Sequence, residues 1–402
     1  MKNIGIYVHI PFCKQKCAYC DFCSFCANDK IVERYFNFLN SEIKRRALAD
    51  AKVQSIYFGG GTPSSIDERY IVSILDTIKD SFYVDANAEI TIECNPCSTS
   101  ENKLVAYRNA GFNRVSFGVQ SFNDEILKMI GRLHNSREAE KAINCAKIVG
   151  FRNISCDLMI GLPKQTKEDL IFAIDKLNDL GVKHISSYML QLEEGTILYD
   201  KVQKGELKVL NEDEQVELYE SVIDQLNKLG FKQYEVSNFA KESLYSRHNI
   251  NYWRRGEYLG FGLSAHSFID ETRFANSNNM KEYENGKFAL IESLSKEEIA
   301  EEIVMLGLRY FEGVDLEALR KINGKIATKI KESDYVNAGI IKIKKGKAIL
   351  DPKYYEINNE IIVNLIWVLV LTPALFCDKL TKAKEGDKNG TNKNYSARCR
   401  VS

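Results

Sequence analysis

Short apolar runs recur along the first half of the chain, each followed by a longer stretch whose apolar positions fall three and four apart. The runs at 4–9, 53–58, 88–93, 113–118, 153–159 and 184–190 have the length and residue types of strands. The stretches 29–48, 66–80, 101–110, 123–149 and 166–180 predict helices. A further long helix fits 211–229, ahead of an extended Gln233-Tyr-Glu-Val-Ser237. Strand–helix–strand repetition builds a parallel sheet with helices against it. Six or so repeats suggest an α/β fold of the partial or full βα-barrel kind rather than a doubly wound sheet, although periodicity alone does not choose between them.

The alternation stops near residue 240. Residues 297–333 read as helical, and 338–351 as two short strands around Lys344-Lys345-Gly346-Lys347. The expected organisation is a core barrel over 1–240, a small mixed α+β C-terminal domain with its linker over 241–366, and a Lys-, Asn- and Gly-rich tail over 367–402 of disordered composition. Residues 361–377 are mostly apolar but include Asn364, Thr372 and Pro373. A bilayer span takes about 20 apolar residues, so this segment is not expected to cross one.

Composition narrows the function. Lys plus Arg and Asp plus Glu number 55 each, giving a net charge of zero. A protein that tracks a polyanion normally carries a basic excess, so nucleic acid is not an expected partner. The N-terminus lacks the long apolar run and small-residue cleavage site of a signal peptide, and the expected location is the cytoplasm. Eleven cysteines in such a chain do not read as a disulfide framework, and five of them fall between residues 13 and 26.

Cys13-x3-Cys17-x2-Cys20 lies just after the first strand. Three thiolates on one short loop can hold three irons of a 4Fe–4S cube and leave the fourth open to a small chelating molecule. Cys23 and Cys26 continue the two-residue spacing, so a zinc knuckle on Cys17, Cys20, Cys23 and Cys26 is the competing reading, and buried thiols without a ligand role are a third. Gly59-Gly60-Gly61-Thr62-Pro63, Glu93-Cys94-Asn95-Pro96, Gln120 and Gly161-Leu162-Pro163 each follow a predicted strand, where barrel enzymes build their sites.

The run Tyr7-Val-His-Ile-Pro-Phe-Cys13-x3-Cys17-Ala-Tyr19-Cys20-Asp-Phe22 resembles the opening of the radical S-adenosylmethionine superfamily. More narrowly it is similar to the oxygen-independent coproporphyrinogen III oxidases and to their relatives, the HemW haem chaperones. The likeness runs from residue 4 to about 366. It implies a partial βα barrel whose 4Fe–4S cluster sits on Cys13, Cys17 and Cys20. S-adenosylmethionine would chelate the open iron, and one electron from the cluster would cleave it to methionine and a 5′-deoxyadenosyl radical. The resemblance also implies cofactor contacts. Gly60, Gly61 and Thr62 would lie along the methionine moiety, with Glu93, Gln120, Arg132 and Asp157 around the cofactor and Tyr7 and Tyr19 beside the cluster. Without the resemblance, Gln120, Arg132, Asp157, Tyr7 and Tyr19 would each read as ordinary packing or a solvated face, and the glycine run as a plain turn.

Within the family, the oxidases carry a further cysteine two residues after the last ligand, where this chain has Phe22. They also carry a longer segment before the first strand. Both features favour the chaperone side. His248-Asn249-Ile-Asn-Tyr252-Trp253 matches a His-Asn-x-x-Tyr-Trp motif associated with haem in the chaperones, which makes His248 a candidate haem-iron ligand. The other reading is a packed structural histidine. His266, in Gly260-Phe-Gly-Leu-Ser-Ala-His266, is a weaker candidate. The expected partners are haem and an apo-haemoprotein that receives it. Docking on a membrane surface is compatible with the sequence. The alternative is an enzyme that oxidatively decarboxylates coproporphyrinogen III, and an RNA-modifying radical enzyme is a distant third.

Overall fold

The computed structural model describes residues 1–367 of the 402. The tail expected over 367–402 and the second half of the apolar segment 361–377 lie outside the described residues, apart from Trp367, which ends the last helix.

The six predicted strands all form: β1 Lys2–Ile10, β2 Ala51–Gly60, β3 Tyr83–Cys94, β4 Arg114–Gln120, β5 Asn153–Ile160 and β6 His184–Met189. They pair in parallel in chain order. Between them lie α1 Asp29–Arg45, α2 Glu68–Ser81, α3 Glu101–Ala110, α4 Asp124–Met129, α5 Ser136–Val149 and α6 Lys167–Asp179. The helix expected over 123–149 is thus two helices. Asn123 caps the first, Gly131 (φ +77°) follows its end, and Asn135 with Glu138 forms a reciprocal capping box that starts the second. The break carries Arg132, with consequences described below.

The sheet continues past β6. After α7 Ile197–Gln203 and α8 Glu212–Lys228 come β7 Lys232–Gln233 and β8 Asn238–Ala240, then α9 Arg247–Trp253. On the other side of β1 lie β9 Tyr258–Phe261, β10 His266–Ile269, β11 Thr272–Asn276 and β12 Phe288–Ser293. The order is β12-β11-β10-β9-β1-β2-β3-β4-β5-β6-β8-β7. One compact unit therefore comprises residues 1–251 and 256–293, and the second comprises 252–255 with the described residues from 294 to 367. The boundary expected at 240 falls inside the first unit, because β9 pairs in parallel with β1 and makes the later strands part of the same sheet. In the second unit, the two strands expected around Lys344–Lys347 form as β14 Ile341–Lys344 and β15 Lys347–Leu350, joined by β13 Val314–Asp315. Three helices cover the stretch read as helical: Lys296–Gly307, Leu316–Ile322 and Gly324–Lys331.

The central strands have two unlike faces. Ile4, Ile6, Val8 and Ile10 of β1, Ile56 and Phe58 of β2 and Val115, Phe117 and Val119 of β4 point outward and bury themselves against the helices in one continuous core. The alternate residues point inward, and they are polar. β3 presents Glu89, Thr91 and Glu93, β4 presents Arg114 and Ser116, β5 presents Ser155 and Asp157, and β6 presents His184 and Ser186. A barrel filled with apolar layers is a packed core, whereas this interior is a polar lumen whose groups each need a partner.

The floor of the lumen is satisfied by the first turn of α9. The Glu89 carboxylate, 3% exposed, accepts from the backbone N–H groups of Arg247 and His248 at 3.1 Å each. His248 reaches back so that its Nδ1 lies 2.8 Å from Ser55 Oγ. Beside them, His184 lies 2.8 Å from both Ser155 Oγ and Tyr234 Oη. Glu89→Ala strands two buried N–H donors and leaves the neighbouring Arg114 without its carboxylate, so unfolding free energy should fall by about 2–4 kcal/mol in a urea titration. Glu89→Gln, which keeps an acceptor, should lose less.

Candidate functional site

The cysteine loop is pinned to the mouth of the lumen by backbone hydrogen bonds. Cys13 N–H donates to the Phe25 carbonyl at 3.1 Å, and Phe25 N–H donates to the Pro11 carbonyl at 2.8 Å. Gly61 and Thr62 donate to the carbonyls of Ile10 and Phe12, each at 2.8 Å. A side chain at Gly61 would press its Cβ to 2.9 Å from those same two oxygens, and Gly60 sits at φ +112°, so both positions require glycine. The loop after β2 and the loop after β1 are thereby locked together. Thr62 Oγ1 comes to 3.5 Å from Cys13 Sγ.

Arg132 reaches the same place from the break between α4 and α5. One guanidinium nitrogen lies 3.5 Å from Cys17 Sγ, and the other donates to the Gly118 carbonyl at the end of β4. Its Nε is buried without a partner among the described residues. A Cβ at Gly118 would meet Gln120 Nε2 at 3.1 Å and Arg132 at 3.2 Å, so the Gln120 amide and the Arg132 guanidinium flank one glycine. Gln120 is held at φ +68°, where β4 shifts register against β5, a conformation that costs a non-glycine residue about 1–3 kcal/mol. Tyr19 packs beside Arg132 and Cys17, and burial raises its phenol.

Two carboxylates face this group. Glu93 accepts from Tyr57 Oη at 2.7 Å and from Gly60 N–H at 3.3 Å. Burial pushes it up to about 7, with Asp157 adding to the rise. Asp157 accepts from Ser116 Oγ at 3.2 Å; burial raises it, while Ser186 and Arg114 oppose the rise. Tyr7 bonds His9 Nδ1 at 3.0 Å, and His9 Nε2 lies 2.8 Å from the Cys23 carbonyl. A carbonyl only accepts, so Nε2 carries the proton and Nδ1 accepts from Tyr7. Burial drives His9 down to about 4, which keeps the ring neutral.

The structure thus gathers Tyr7, Cys13, Cys17, Tyr19, Gly60, Gly61, Thr62, Glu93, Gln120, Arg132 and Asp157 at one end of one lumen. A cleft beside them is lined in part by Cys17, Thr62, Asn95, Cys97 and Gly131. His248 lies elsewhere. It is on the floor, 1% exposed, with its ring stacked on Tyr57 at 5.2 Å between centroids and burial lowering it to about 3. As folded here its ring is not offered to a ligand. Tyr57 links the two levels, with one face against His248 and its hydroxyl on Glu93. Ser55, Tyr57, Glu89, Arg114 and Ser116 were not singled out from the sequence. The signal was available: polar residues at every second position of Glu89-x-Thr91-x-Glu93 and Arg114-x-Ser116 mark a wet inner face.

The comparisons with known proteins follow the same lines. Residues 7–177 match the Radical SAM superfamily, and residues 294–352 match the HemN C-terminal domain. The heme chaperone HemW of Bacillus subtilis is 35% identical over 88% of this chain and 97% of its own length. The chain belongs to the HemW family. HemW of Escherichia coli is 37% identical over 66% of this chain and 70% of its own. A mouse relative, radical S-adenosyl methionine domain-containing protein 1, mitochondrial, is 36% identical over 77% and 74%. Among solved structures, coproporphyrinogen III oxidase (HemN) from E. coli aligns with a TM-score of 0.79 over 92% of this chain and 91% of that one. At 22% identity that likeness concerns the fold. Radical SAM membership implies a 4Fe–4S cluster and S-adenosylmethionine. No helix of the described residues is long and apolar enough to cross a membrane.

Among the described residues no three His, Cys, Asp or Glu side chains are drawn together as a metal-ion site; thiolates on one short loop are nonetheless the donor type that iron–sulfur clusters take. Burial pushes the Cys13 and Cys20 thiols up, so a thiolate at either place needs positive charge beside it. The sulfurs of Cys13 and Cys17 already have Thr62 and Arg132 as polar neighbours, the kind of contact that tunes cluster thiolates. Cys26 instead lies 3.2 Å from the Lys14 carbonyl and is exposed. Replacing Cys13, Cys17 or Cys20 by Ser should abolish iron–sulfur absorbance after anaerobic reconstitution, whereas Cys23→Ser with Cys26→Ser should keep iron content near wild type. Glu93 gives a pH signature in the metal-free protein. Its pKa rises on folding from 4.5 to about 7, so folded protein binds the proton more tightly. That contribution is complete at low pH and disappears as pH climbs through this interval. The wild-type urea midpoint, measured relative to Glu93→Gln, should fall from pH 4.5 to 7 and level off above.

Proposed function

We propose that the protein is a haem chaperone: it binds haem and passes it to an apo-haemoprotein, with a 4Fe–4S cluster and S-adenosylmethionine at the mouth of the lumen. The observation that carries this reading is the family match over nearly the whole chain to proteins named heme chaperone. Cys13, Cys17 and Cys20 are the proposed cluster ligands. When bound, the cluster supplies a one-electron donor and an open iron site for the cofactor.

The chain's own residues would hold the cofactor in defined ways. Arg132 and the Gln120 amide, flanking Gly118, suit a carboxylate, the guanidinium by a forked pair of bonds. Asp157, fixed by Ser116, suits ribose hydroxyls. Gly60 and Gly61 let backbone approach a ligand, and Thr62 stands beside Cys13. Glu93 with its high pKa can hold a proton between Tyr57 and the Gly60 amide. His248 supports this level from below through Tyr57.

The oxidase alternative rests on the shared fold. Phe22, 49% exposed, occupies the place of the oxidases' additional cysteine. Anaerobically reconstituted protein should bind haem, transfer it to an apo-haemoprotein added in a second step, and leave coproporphyrinogen III unconsumed when supplied with S-adenosylmethionine and reductant. Turnover of coproporphyrinogen III would reverse the ranking.

A further inference from the structure

Residues 190–209, between β6 and α8, bury their apolar side chains in a small cluster separate from the main core. Leu190 and Leu198 of this segment meet Ala18 of the cysteine loop, Ile126 and Ile130 of α4 and its end, and Leu162 of the turn after β5. Leu207 and Val209 pack against them. The seven residues of α7 lie in the middle of the segment, capped by Thr196. A helix this short is not stable alone, so its order comes from what it rests on. Gly195 (φ +83°) and Gly205 (φ +73°) bracket it, each with open space where a Cβ would stand.

What it rests on is the turn between two proposed cluster ligands. Cys20 N–H donates to the Cys17 carbonyl at 3.2 Å, which closes the turn. Ala18, at its corner, has both backbone groups taken. Its N–H donates to the Ile130 carbonyl at 2.9 Å, and its carbonyl accepts from Leu198 N–H at 2.7 Å. The Ala18 side chain is 6% exposed and that of Leu198 is fully buried. Cys13 is anchored elsewhere. Its neighbour Phe12 belongs to the main core, and Phe25, whose carbonyl accepts from Cys13 N–H, packs against that core with its ring 5.6 Å from that of Phe12. The proposed ligands are thus divided, Cys13 on the main core and the Cys17–Cys20 turn on the small cluster.

We propose that residues 190–209 form a strap whose seating reports occupancy of the cysteine loop: a cluster held by Cys13 on one side and by Cys17 and Cys20 on the other staples the small apolar cluster to the main core. The inference rests on the cluster reading and gives that site a conformational output. Iron–thiolate bonds join two parts of the chain that otherwise meet through a few hydrogen bonds, so part of the binding energy goes into ordering the turn. What orders the turn orders the strap, through the Leu198–Ala18 bond and the apolar contacts around it. A small satellite core opens at lower free energy than the main core, so the strap is where this added order is felt most. Linkage is reciprocal: a seated strap holds the cluster more tightly. The strap leaves β6 just past Tyr188, which lies within electrostatic reach of Asp157 and Glu93, so its seating also bears on the mouth of the lumen.

The test is deuterium exchange of the full chain, cluster-loaded and cluster-free, read by mass spectrometry, with iron–sulfur absorbance confirming the loading. Peptides covering 190–209 should exchange about tenfold more slowly in the loaded protein, and peptides of α2, in the main core, should change much less. Leu198→Ala, which keeps all three cysteines, should still load but release iron to a chelator about tenfold faster than wild type. Circular dichroism checks that this variant folds; if it does not, the exchange comparison, which needs no variant, decides alone. Loaded wild type whose 190–209 peptides slow no more than those of α2, or a folded Leu198→Ala that keeps its iron as long as wild type, overturns the strap and leaves the cluster reading standing. Wild type that takes up no iron–sulfur cluster overturns both.

Discussion

The constraint on which this structure depends is that its central strands must satisfy two incompatible surroundings at once. One face is buried under helices and takes Ile, Val and Phe; the other lines a narrow interior and is lined by Glu, Arg, Ser, Asp and His. Buried polar groups are costly unless each finds a partner. The interior is therefore knit from strand to strand: Ser116 to Asp157, Ser155 to His184, Tyr57 to Glu93. The first turn of α9 completes the network at the closed end by supplying two backbone donors to Glu89. At the open end the polar groups are left facing one another, and that end is where the cysteine loop is fastened.

The result is a site graded by depth. At the bottom, Glu89, His248 and His184 have polar partners. In the middle, Tyr57 touches both levels, stacked below on His248 and bonded above to Glu93. At the rim, Arg132 retains a buried Nε without a partner among the described residues, and Gln120 is held in a left-handed conformation. An unfulfilled donor and a strained backbone thus stand side by side where a small polar molecule would be received.

Much of this was legible in the sequence, and the exceptions have physical reasons. The six core strands were found to within a few residues, except that β3 begins five residues earlier, because their apolar runs are long and bounded by helices of clear period. The cysteine loop, Gly60 and Gly61, and the carboxylates were found because motif order carries over from relatives. The break inside 123–149 was missed although Asn135-x-x-Glu138 is a helix start signal, since apolar spacing runs through it. Strands β9 to β12 were missed because they are short, β9 carries Gly260, and the pairing of β9 with β1 that adds them to the sheet joins residues some 250 apart. The setting of His248 is not a local property at all. It is decided by Ser55, Tyr57 and Glu89.

The glycine run of the second loop bears on how such sequences should be interpreted across a lineage. Each of its three members is demanded by the protein's own atoms: Gly59 by the Glu93 carboxyl and Tyr57 ring, Gly60 by the His9 imidazole and its backbone angle, Gly61 by two carbonyl oxygens. None of these demands involves a bound cofactor. A descendant that had given up sulfonium chemistry altogether would still be selected to keep all three, so retention of the triplet is a record of architecture, and the side chains of Arg132 and Asp157 are the better witnesses to continued use.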